Sequence, residues 1–178
     1  MPRVEVDRSL PPVVVPARIV SDLLGHARET LPEECCGLIV GAADQRYRRL
    51  VRCRNEMTQL HRSDPVAFPL DGSAAFWMNE ADYMNTREGA EAAGLRVTAV
   101  YHSHVGSGAY LSEMDLEYAH HALFPFPDAD QIVLAVASPD ASHVAMRLEA
   151  GCVDGLAIFL WDATAAAFRG RRVRPSAP

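Results

Sequence analysis

The sequence predicts an α/β protein, a single domain in which helices flank a mixed β-sheet. Amphipathic helical stretches alternate with short apolar stretches rich in β-branched residues. Their order is helix, strand, strand, helix, strand, helix, strand, strand. No Gly-x-Gly-x-x-Gly motif follows the first strand, as a dinucleotide-binding Rossmann fold would require. The length of 178 residues suits one domain, with a core at about residues 13–165 and a basic tail at residues 166–178.

The first third of the chain predicts a helix followed by two strands. Between Pro16 and Pro32, apolar residues recur at intervals of three and four, which is typical of an amphipathic helix bounded by prolines. Residues 36–42 form a short apolar run that indicates a buried strand. Residues 46–56 alternate well enough to favour a second strand near a sheet edge.

A turn-rich region and a long helix are predicted next. Residues 55–72 contain many turn-forming residues, and residues 66–70 are expected to form a short extended piece. Residues 73–93 then predict a helix that Ser73 caps at its start and Gly94 stops at its end.

The second half of the chain carries the clearest strand. Residues 95–104 are apolar and β-branched and end in a polar tip. Residues 112–124 predict a helix and residues 130–138 another buried strand. Residues 145–150 and 156–162 are predicted strands that complete the sheet, although residues 156–162 are also compatible with the start of a helix.

Composition narrows the function classes. The net charge of −6 argues against nucleic acid or an anionic membrane as the main partner, since both attract a basic surface. All 17 basic residues are arginine, which excludes Schiff-base chemistry on lysine and a lysine-containing P-loop. The four cysteines form no Cys-x-x-Cys pair and fit a reducing compartment. No signal peptide or transmembrane span is recognised, so the cytoplasm is the expected location.

The polar tip of the clearest strand contains a His-x-His pair. Side chains two apart on a strand point to the same face, so His102 and His104 can reach one ion, while Ser103 points to the other face. A His-x-His pair alone is a weak signal, because a histidine at a strand end is more often an ordinary surface or core residue. Its context therefore decides how it is interpreted.

Seven residues after His104, the sequence Ser112-x-x-Asp115 opens the next helix. This spacing places both side chains at the helix N-terminus, and in most proteins it is only a capping device. Two imidazole nitrogens and one carboxylate oxygen are also a catalytic zinc set that leaves a fourth position for water. The joint spacing predicts a metal site formed by His102, His104 and Asp115.

This pattern resembles the His-x-His-x7-Ser-x2-Asp signature of the JAMM (MPN+) metalloproteases. The segment PEECCGLIVG, residues 32–41, resembles the second motif of that family, and the resemblance covers about residues 16–140. It implies a cytidine-deaminase-like fold and a zinc hydrolase that cuts peptide or isopeptide bonds. Small stand-alone members of this type resemble peptidases that act after the C-terminal Gly-Gly of ubiquitin-like sulfur-carrier proteins.

The family pattern also implies roles for individual residues. His102, His104 and Asp115 would hold one zinc ion, Glu34 would act as the catalytic base, and Ser112 would stabilise the oxyanion. Composition alone does not separate Glu34 from Glu33, and only the spacing to the glycine of the motif selects Glu34. Two departures, Val105 and Leu111 where many members have proline, bear on loop rigidity and substrate fit and leave the ligand set intact.

Two other functions are compatible with the predicted fold. A non-catalytic interaction module of the MPN type would be expected to lack one or more of the ligands, and none is missing. A zinc deaminase of related fold would need His-x-Glu and Pro-Cys-x-x-Cys motifs, which this sequence lacks. The sequence leaves open whether the chain forms a homodimer.

Several further residues have two interpretations. His120 and His121 are expected to be helix-surface or core histidines. His61 and Asp64 mark a candidate substrate-contact region. An aromatic and methionine stripe on the predicted 73–93 helix favours core packing over a partner groove; its members are Phe76, Trp77, Tyr83 and Met84.

Overall fold

The computed structural model describes residues 3–122, 124–137 and 147–177. A seven-stranded mixed sheet lies at its centre, with the strand order β1-β9-β8-β5-β4-β2-β3. The strands are β1 (Val13–Val15), β2 (Cys36–Gly41), β3 (Arg49–Cys53), β4 (Arg96–Val105), β5 (Asp130–Val136), β8 (Leu156–Asp162) and β9 (Ala167–Pro175). The pairs β4/β5 and β1/β9 are parallel, and the other neighbours are antiparallel. A separate two-stranded sheet joins β6 (Leu148–Glu149) to β7 (Cys152–Val153).

Helices flank the sheet, which confirms the predicted fold class. They are α1 (Ala17–Thr30), α2 (Met57–Ser63), α3 (Glu80–Ala92) and α4 (Glu113–His120). Successive side chains of β4 point to opposite faces of the sheet, where two separate apolar clusters lie. Tyr101 packs in the cluster that contains α1 residues, and Val100 packs in the cluster that contains Ala90 of α3. No helix in the described part of the chain is long and apolar enough to cross a membrane.

Most of the predicted elements are confirmed. Helix α1 lies between the two bounding prolines, and strand β2 is buried at every position. Strand β3 is an edge strand of the sheet, as its alternating pattern predicted. Strands β4, β5 and β8 match the strands predicted at residues 95–104, 130–138 and 156–162, and α4 begins directly after Ser112.

The predicted helix at 73–93 is wrong in its start. Helix α3 begins at Glu80, and its cap is Asn79, whose side chain accepts a hydrogen bond from the Asp82 backbone N–H. The preceding chain stays non-helical because Met78 forms an isolated β-bridge with Asn55. Phe76 and Trp77 therefore do not lie on an α3 stripe. The region predicted as turns also contains a short helix, α2, and residues 66–70 form turn and loop in place of the expected extended piece.

The basic tail expected at residues 166–178 is largely a strand. Strand β9 pairs with β8 along six positions and with β1 along three, so its arginines lie within the sheet. The apolar residues Phe168 and Val173 are buried, and these contacts outweigh the basic composition that suggested a tail. Of the strand predicted at residues 145–150, residues 145 and 146 lie outside the described residues, and β6 covers Leu148–Glu149.

Candidate metal centre

Three side chains converge at the carboxyl end of β4. The Nε2 atoms of His102 and His104 lie 3.1 Å apart. Asp115 Oδ1 lies 3.2 Å from His102 Nε2, and Asp115 Oδ2 lies 3.3 Å from His104 Nε2. All three side chains are at least nine-tenths buried. The predicted convergence of the three residues is thus present in the structure.

The strand geometry of β4 aims both histidines the same way. Their positions differ by two, so their side chains project from one face of the sheet. Ser103 points to the other face, as predicted, where its hydroxyl accepts a hydrogen bond of 2.8 Å from the Cys35 N–H. The Ser103 N–H donates in turn to the Cys35 carbonyl at 3.0 Å. This pairing fixes the end of β4 against the start of β2.

The N-terminus of α4 supplies the carboxylate. Ser112 is the N-cap, and its hydroxyl oxygen accepts a hydrogen bond of 3.2 Å from the Asp115 N–H. The Ser112 N–H and hydroxyl both donate to Asp115 Oδ2, each at 2.7 Å. The Ser-x-x-Asp spacing is therefore a capping box and also brings a carboxylate to the histidines. The capping interpretation and the metal-site interpretation of this motif are therefore compatible.

The three donor atoms suit a zinc ion. Tetrahedral ligands bound at about 2.0–2.1 Å lie roughly 3.3 Å from one another. The two Nε2 atoms lie 3.1 Å apart, and each lies 3.2–3.3 Å from a different oxygen of the Asp115 carboxylate. With one ligand atom taken from each residue, the three atoms lie within 4.8 Å of one another. Two neutral nitrogens and one carboxylate leave a position for a water or a substrate oxygen. The residues present fit the metal that the motif implies.

Neighbouring groups orient the two imidazoles. His104 Nδ1 lies 2.9 Å from the Gly108 carbonyl, so an N–H at Nδ1 leaves the Nε2 lone pair for a metal. The ring of Phe76 stacks on His102 with centroids 4.6 Å apart. His102 Nδ1 has no hydrogen-bond partner within the described residues. The Tyr110 ring lies 5.0 Å from that of His104.

Asp115 and His104 perturb each other's protonation. Burial would raise the pKa of Asp115, but the charge of His102 and hydrogen bonds from His102, His104 and Ser112 hold that pKa well below its ordinary value. Burial would likewise lower the pKa of His104, but its hydrogen bond with Asp115 and the charge of Asp115 raise it. The cluster therefore keeps the carboxylate ionised, as a metal ligand must be.

Glu34 lies immediately before β2, next to this cluster. The register that pairs Cys36 with His102 continues through the Cys35–Ser103 hydrogen bonds and sets Glu34 opposite His104. Burial raises the pKa of Glu34 to about 8; His104 opposes that rise and Asp115 adds to it. The Glu34 carboxyl is therefore close enough to interact with both residues electrostatically.

The neighbouring Glu33 has a different environment. Its carboxylate accepts a hydrogen bond of 2.6 Å from the Thr58 hydroxyl. The Thr58 oxygen also accepts a hydrogen bond of 2.9 Å from the Gly72 N–H. The structure thus separates two glutamates that composition alone could not distinguish. The charges of His104 and Asp115 act on the Glu34 carboxyl.

Asn55 is a site residue that the sequence interpretation missed. Its Nδ2 donates to the Glu34 carbonyl at 3.0 Å and to the Ala75 carbonyl at 3.1 Å. Its Oδ1 accepts from the backbone N–H groups of Met57 and Trp77, each at 3.0 Å. One side chain thereby ties the backbone of Glu34 to the segment that carries Phe76. The bond from the Met57 N–H is local, but the fold brings the other three partners to Asn55 from about 20 residues away.

The other residues singled out in the sequence, His61, Asp64 and His120, contact groups outside the candidate metal centre. His61 Nδ1 lies 2.7 Å from the Phe68 carbonyl, and Asp64 Oδ1 accepts backbone N–H bonds from the turn that follows it. His120 packs against the rings of Trp161 and Phe168. None of these contacts involves the three converging side chains.

The chain is similar to several known proteins. Residues 16–149 match the family model for prokaryotic homologs of the JAB domain. Over 129 residues, the chain is 27% identical to the CysO-cysteine peptidases of Mycobacterium tuberculosis and Mycobacterium bovis, covering 71% of this chain and 75% of those proteins. The solution structure of protein DSY2949 from Desulfitobacterium hafniense superposes with a TM-score of 0.61 over 93% of both chains at 18% identity.

Proposed function

The chain belongs to the family of prokaryotic homologs of the JAB domain, and from this premise we propose that it is a zinc-dependent peptidase. One observation carries the proposal. Three potential ligand atoms converge within 4.8 Å of one another, and the buried Glu34 interacts with two of the residues that supply them. A ligand set beside a carboxyl of raised pKa is the arrangement that metal-assisted hydrolysis needs.

His102, His104 and Asp115 would hold the metal. When bound there, zinc would polarise the substrate carbonyl and lower the pKa of a water to near 7. The protein's own contribution is to keep these side chains fixed. The Gly108 carbonyl orients His104, Phe76 stacks on His102, and Ser112 holds the carboxylate of Asp115 through two hydrogen bonds.

Glu34 would act as the general base. Its carboxylate would accept a proton from the attacking water and then deliver that proton to the leaving amine. The pKa of about 8, which burial raises from the ordinary value, lets this carboxyl exchange a proton near neutral pH. The hydrogen bond from Asn55 to the Glu34 carbonyl fixes the backbone that carries it.

Ser112 would donate a hydrogen bond to the oxyanion that develops on the substrate carbonyl. In the structure its hydroxyl donates to Asp115 Oδ2 at 2.7 Å. The oxyanion role requires the hydroxyl hydrogen to turn away from Asp115, which still receives the Ser112 backbone N–H. One well-placed donor of this kind typically contributes about 10²–10³-fold to kcat.

We propose that the substrate is a ubiquitin-like or sulfur-carrier protein cut after its C-terminal Gly-Gly. The name of the mycobacterial relatives, CysO-cysteine peptidase, supports a carrier protein as the substrate class. Two glycines have no side chains to obstruct a narrow approach to a buried centre. Cys35, Cys36, Cys53 and Cys152 are all free, which fits action in a reducing cytoplasm.

The proposal is tested with the purified full chain. Metal analysis should find one zinc per chain. A ubiquitin-like protein ending in Gly-Gly and extended by one cysteine or a short peptide should be cleaved after the second glycine, as mass spectrometry would show. The variant Glu34→Gln should bind zinc and lose activity by about 10²–10⁴-fold.

The matched control is Glu33→Gln, one residue away. It changes the same chemical group, but the Glu33 carboxylate contacts Thr58 and not the ligand cluster. This variant should keep most of the wild-type rate. Equal loss in both variants would mean that the segment matters only for folding. Zinc binding without any turnover would leave a non-catalytic module, and the peptidase proposal would be rejected.

A further inference from the structure

A short segment before the family-matched region crosses the loop that leads to Ser112. We name residues 3–7 the N-terminal strap; they precede residues 16–149, which match the family model. The Val4 N–H donates to the Leu111 carbonyl at 2.9 Å, and the Leu111 N–H donates to the Val4 carbonyl at 3.0 Å. These two bonds form an antiparallel β-bridge directly before Ser112.

Packing reinforces this bridge. Leu111 is completely buried, and Val4 and Val6 pack against the cluster that contains Leu111 and Phe159. The strap thus adds two apolar side chains to the buried cluster that contains Leu111. Burial of this kind stabilises the loop end by excluding water from Leu111.

The strap also reaches the loop through Arg3. The Arg3 guanidinium carbon lies 4.7 Å from the centroid of the Tyr110 ring, within the range of a cation–π contact. The Tyr110 ring in turn packs against His104, and the Tyr110 hydroxyl bonds the Ser107 hydroxyl at 2.7 Å. Arg3 therefore contacts the residue that packs against His104.

Strand β9 is shaped to let the strap pass. Val6 forms a parallel bridge with Gly170, and the Asp7 N–H donates to the Gly170 carbonyl at 2.9 Å. A Cβ atom at Gly170 would lie 2.5 Å from the Glu5 carbonyl oxygen and 2.7 Å from the Phe159 ring. A glycine inside a strand is typical where another backbone approaches closely. The absence of a side chain at Gly170 therefore leaves room for the backbone of the strap at Glu5.

We propose that the N-terminal strap is a positioning element of the active site, and that Arg3 and Val4 are positioning residues. The strap holds the loop of residues 106–111, which supplies the Gly108 carbonyl to His104 and leads into Ser112. Loss of the strap would leave the fold in place and loosen the groups that orient a ligand and the oxyanion donor. The catalytic part of this inference rests on the proposed function.

The experiment weakens the strap in three ways, each of which removes some of its contacts with the loop. Deletion of residues 2–5 removes Arg3 and Val4 without creating a clash. Val4→Pro removes the N–H that donates to Leu111, and Arg3→Ala removes the cation over Tyr110. Arg3→Lys keeps a cation near Tyr110 and should behave like the wild type. The matched control is Arg8→Ala, because Arg8 is exposed and its side chain forms an ion pair with Glu149 at 3.4 Å.

Three readouts separate positioning from stability. Amide hydrogen exchange at Leu111 should accelerate at least tenfold in the deletion and in Val4→Pro, while exchange in β4 and β5 stays unchanged. Affinity for zinc alone should fall about 10–100-fold, as it does when groups that orient a ligand are lost. The visible spectrum of cobalt bound in place of zinc should change in the deletion and in Arg3→Ala but not in Arg3→Lys or Arg8→Ala.

Activity is the fourth readout and is interpreted separately. If the wild type cleaves the Gly-Gly substrate, the deletion should lower kcat about 10–100-fold with little change in KM. If the wild type cleaves nothing, the proposed function fails, and the exchange and zinc measurements still test the strap. Unchanged exchange at Leu111 with zinc affinity within twofold of wild type would overturn the positioning proposal. Global unfolding of the deletion and Val4→Pro variants would also overturn it, since the strap would then be only structural.

Discussion

Tyr101 lies across Gly37 on the neighbouring strand: its hydroxyl oxygen is 2.5 Å from the position that a Cβ atom at Gly37 would occupy. The two residues are direct partners in the β2/β4 ladder. The Val51 carbonyl on β3 approaches the same position from the other side. Only a residue without a side chain fits there. Because Gly37 must lie opposite Tyr101, the position of Glu34, three residues earlier in the chain, is also set relative to β4.

Gly37→Ala should therefore destabilise the protein. Its methyl group would meet backbone and a buried ring, neither of which moves freely, so a cost of about 1–3 kcal/mol in the free energy of unfolding is expected. Urea denaturation followed by circular dichroism measures it. The control is Gly89→Ala in α3, where nothing lies within 4 Å and the helix should gain about 0.5–1 kcal/mol. Equal stabilities of the two variants would contradict the assignment.

His26 should make a contribution to stability that is lost in mild acid. Burial lowers the pKa of this histidine from 6.5 to about 4. At this residue the unfolded chain binds more protons between these values, so its contribution is complete above pH 6.5 and is lost as the pH falls toward 4, while the raised pKa of Glu34 acts in the opposite direction. Between pH 7 and pH 5 the loss should be about 1–2 kcal/mol. Urea midpoints across this range, compared with those of His26→Gln, isolate the contribution.

Tyr101→Phe serves as the control for the pH effect. His26 Nδ1 lies 2.8 Å from the Tyr101 hydroxyl, and removing that hydroxyl should cost about 1 kcal/mol at neutral pH. The histidine stays buried in this variant, so the dependence on pH should persist. A flat profile in Tyr101→Phe would mean that the hydrogen bond, and not burial, controls the protonation of His26.

Ser112→Ala should reveal two separate losses. The alanine cannot cap α4 or donate to Asp115, so the free energy of unfolding should fall by about 1 kcal/mol. The oxyanion donor would also be missing, which should lower kcat about 10²–10³-fold. Ser112→Thr keeps the hydroxyl and should recover the stability. A stability loss without a kcat loss would show that Ser112 is only a cap.

Asn55→Asp should lower activity through the backbone of Glu34. The substitution preserves the acceptor for the Met57 and Trp77 N–H groups but places a carboxylate oxygen against the Glu34 and Ala75 carbonyls. We expect a stability loss of about 1–3 kcal/mol and a lower kcat with zinc content unchanged. Asn85→Asp, on the exposed surface of α3, is the matched control. Full activity in Asn55→Asp would show that Asn55 does not position Glu34 for catalysis.

Zinc should stabilise the wild-type fold. A ligand that binds only the native state adds about 2.7 kcal/mol at 100 times its dissociation constant. Chelation should therefore lower the urea midpoint and abolish activity, and added zinc should restore both. In His104→Ala the zinc-dependent increment should vanish. An unchanged midpoint in the wild type on adding zinc would count against the metal centre.

The convergence of His102, His104 and Asp115 could be predicted from the sequence because its geometry is local. The two-residue period of a strand aligns His102 with His104, and the N-cap spacing brings Asp115 to the start of a helix. The start of α3 could not be predicted in this way. Residues 73–78 have a helical composition, but the Trp77 N–H, which donates to Asn55 Oδ1, and the bridge between Met78 and Asn55 hold them in a non-helical path.

The sequence by itself determined the fold class, most of the strands and the two halves of the metal-binding pattern, because backbone periodicity sets these within a few residues. Only the tertiary structure decided that the charges of His104 and Asp115 act on Glu34, how Asn55 connects Glu34 to the Phe76 segment, and that β9 belongs to the sheet. The contacts of the N-terminal strap with Gly170 and Leu111 were likewise decided only by the tertiary structure. These contacts join segments far apart in the chain, and their distances depend on the packing of the whole sheet.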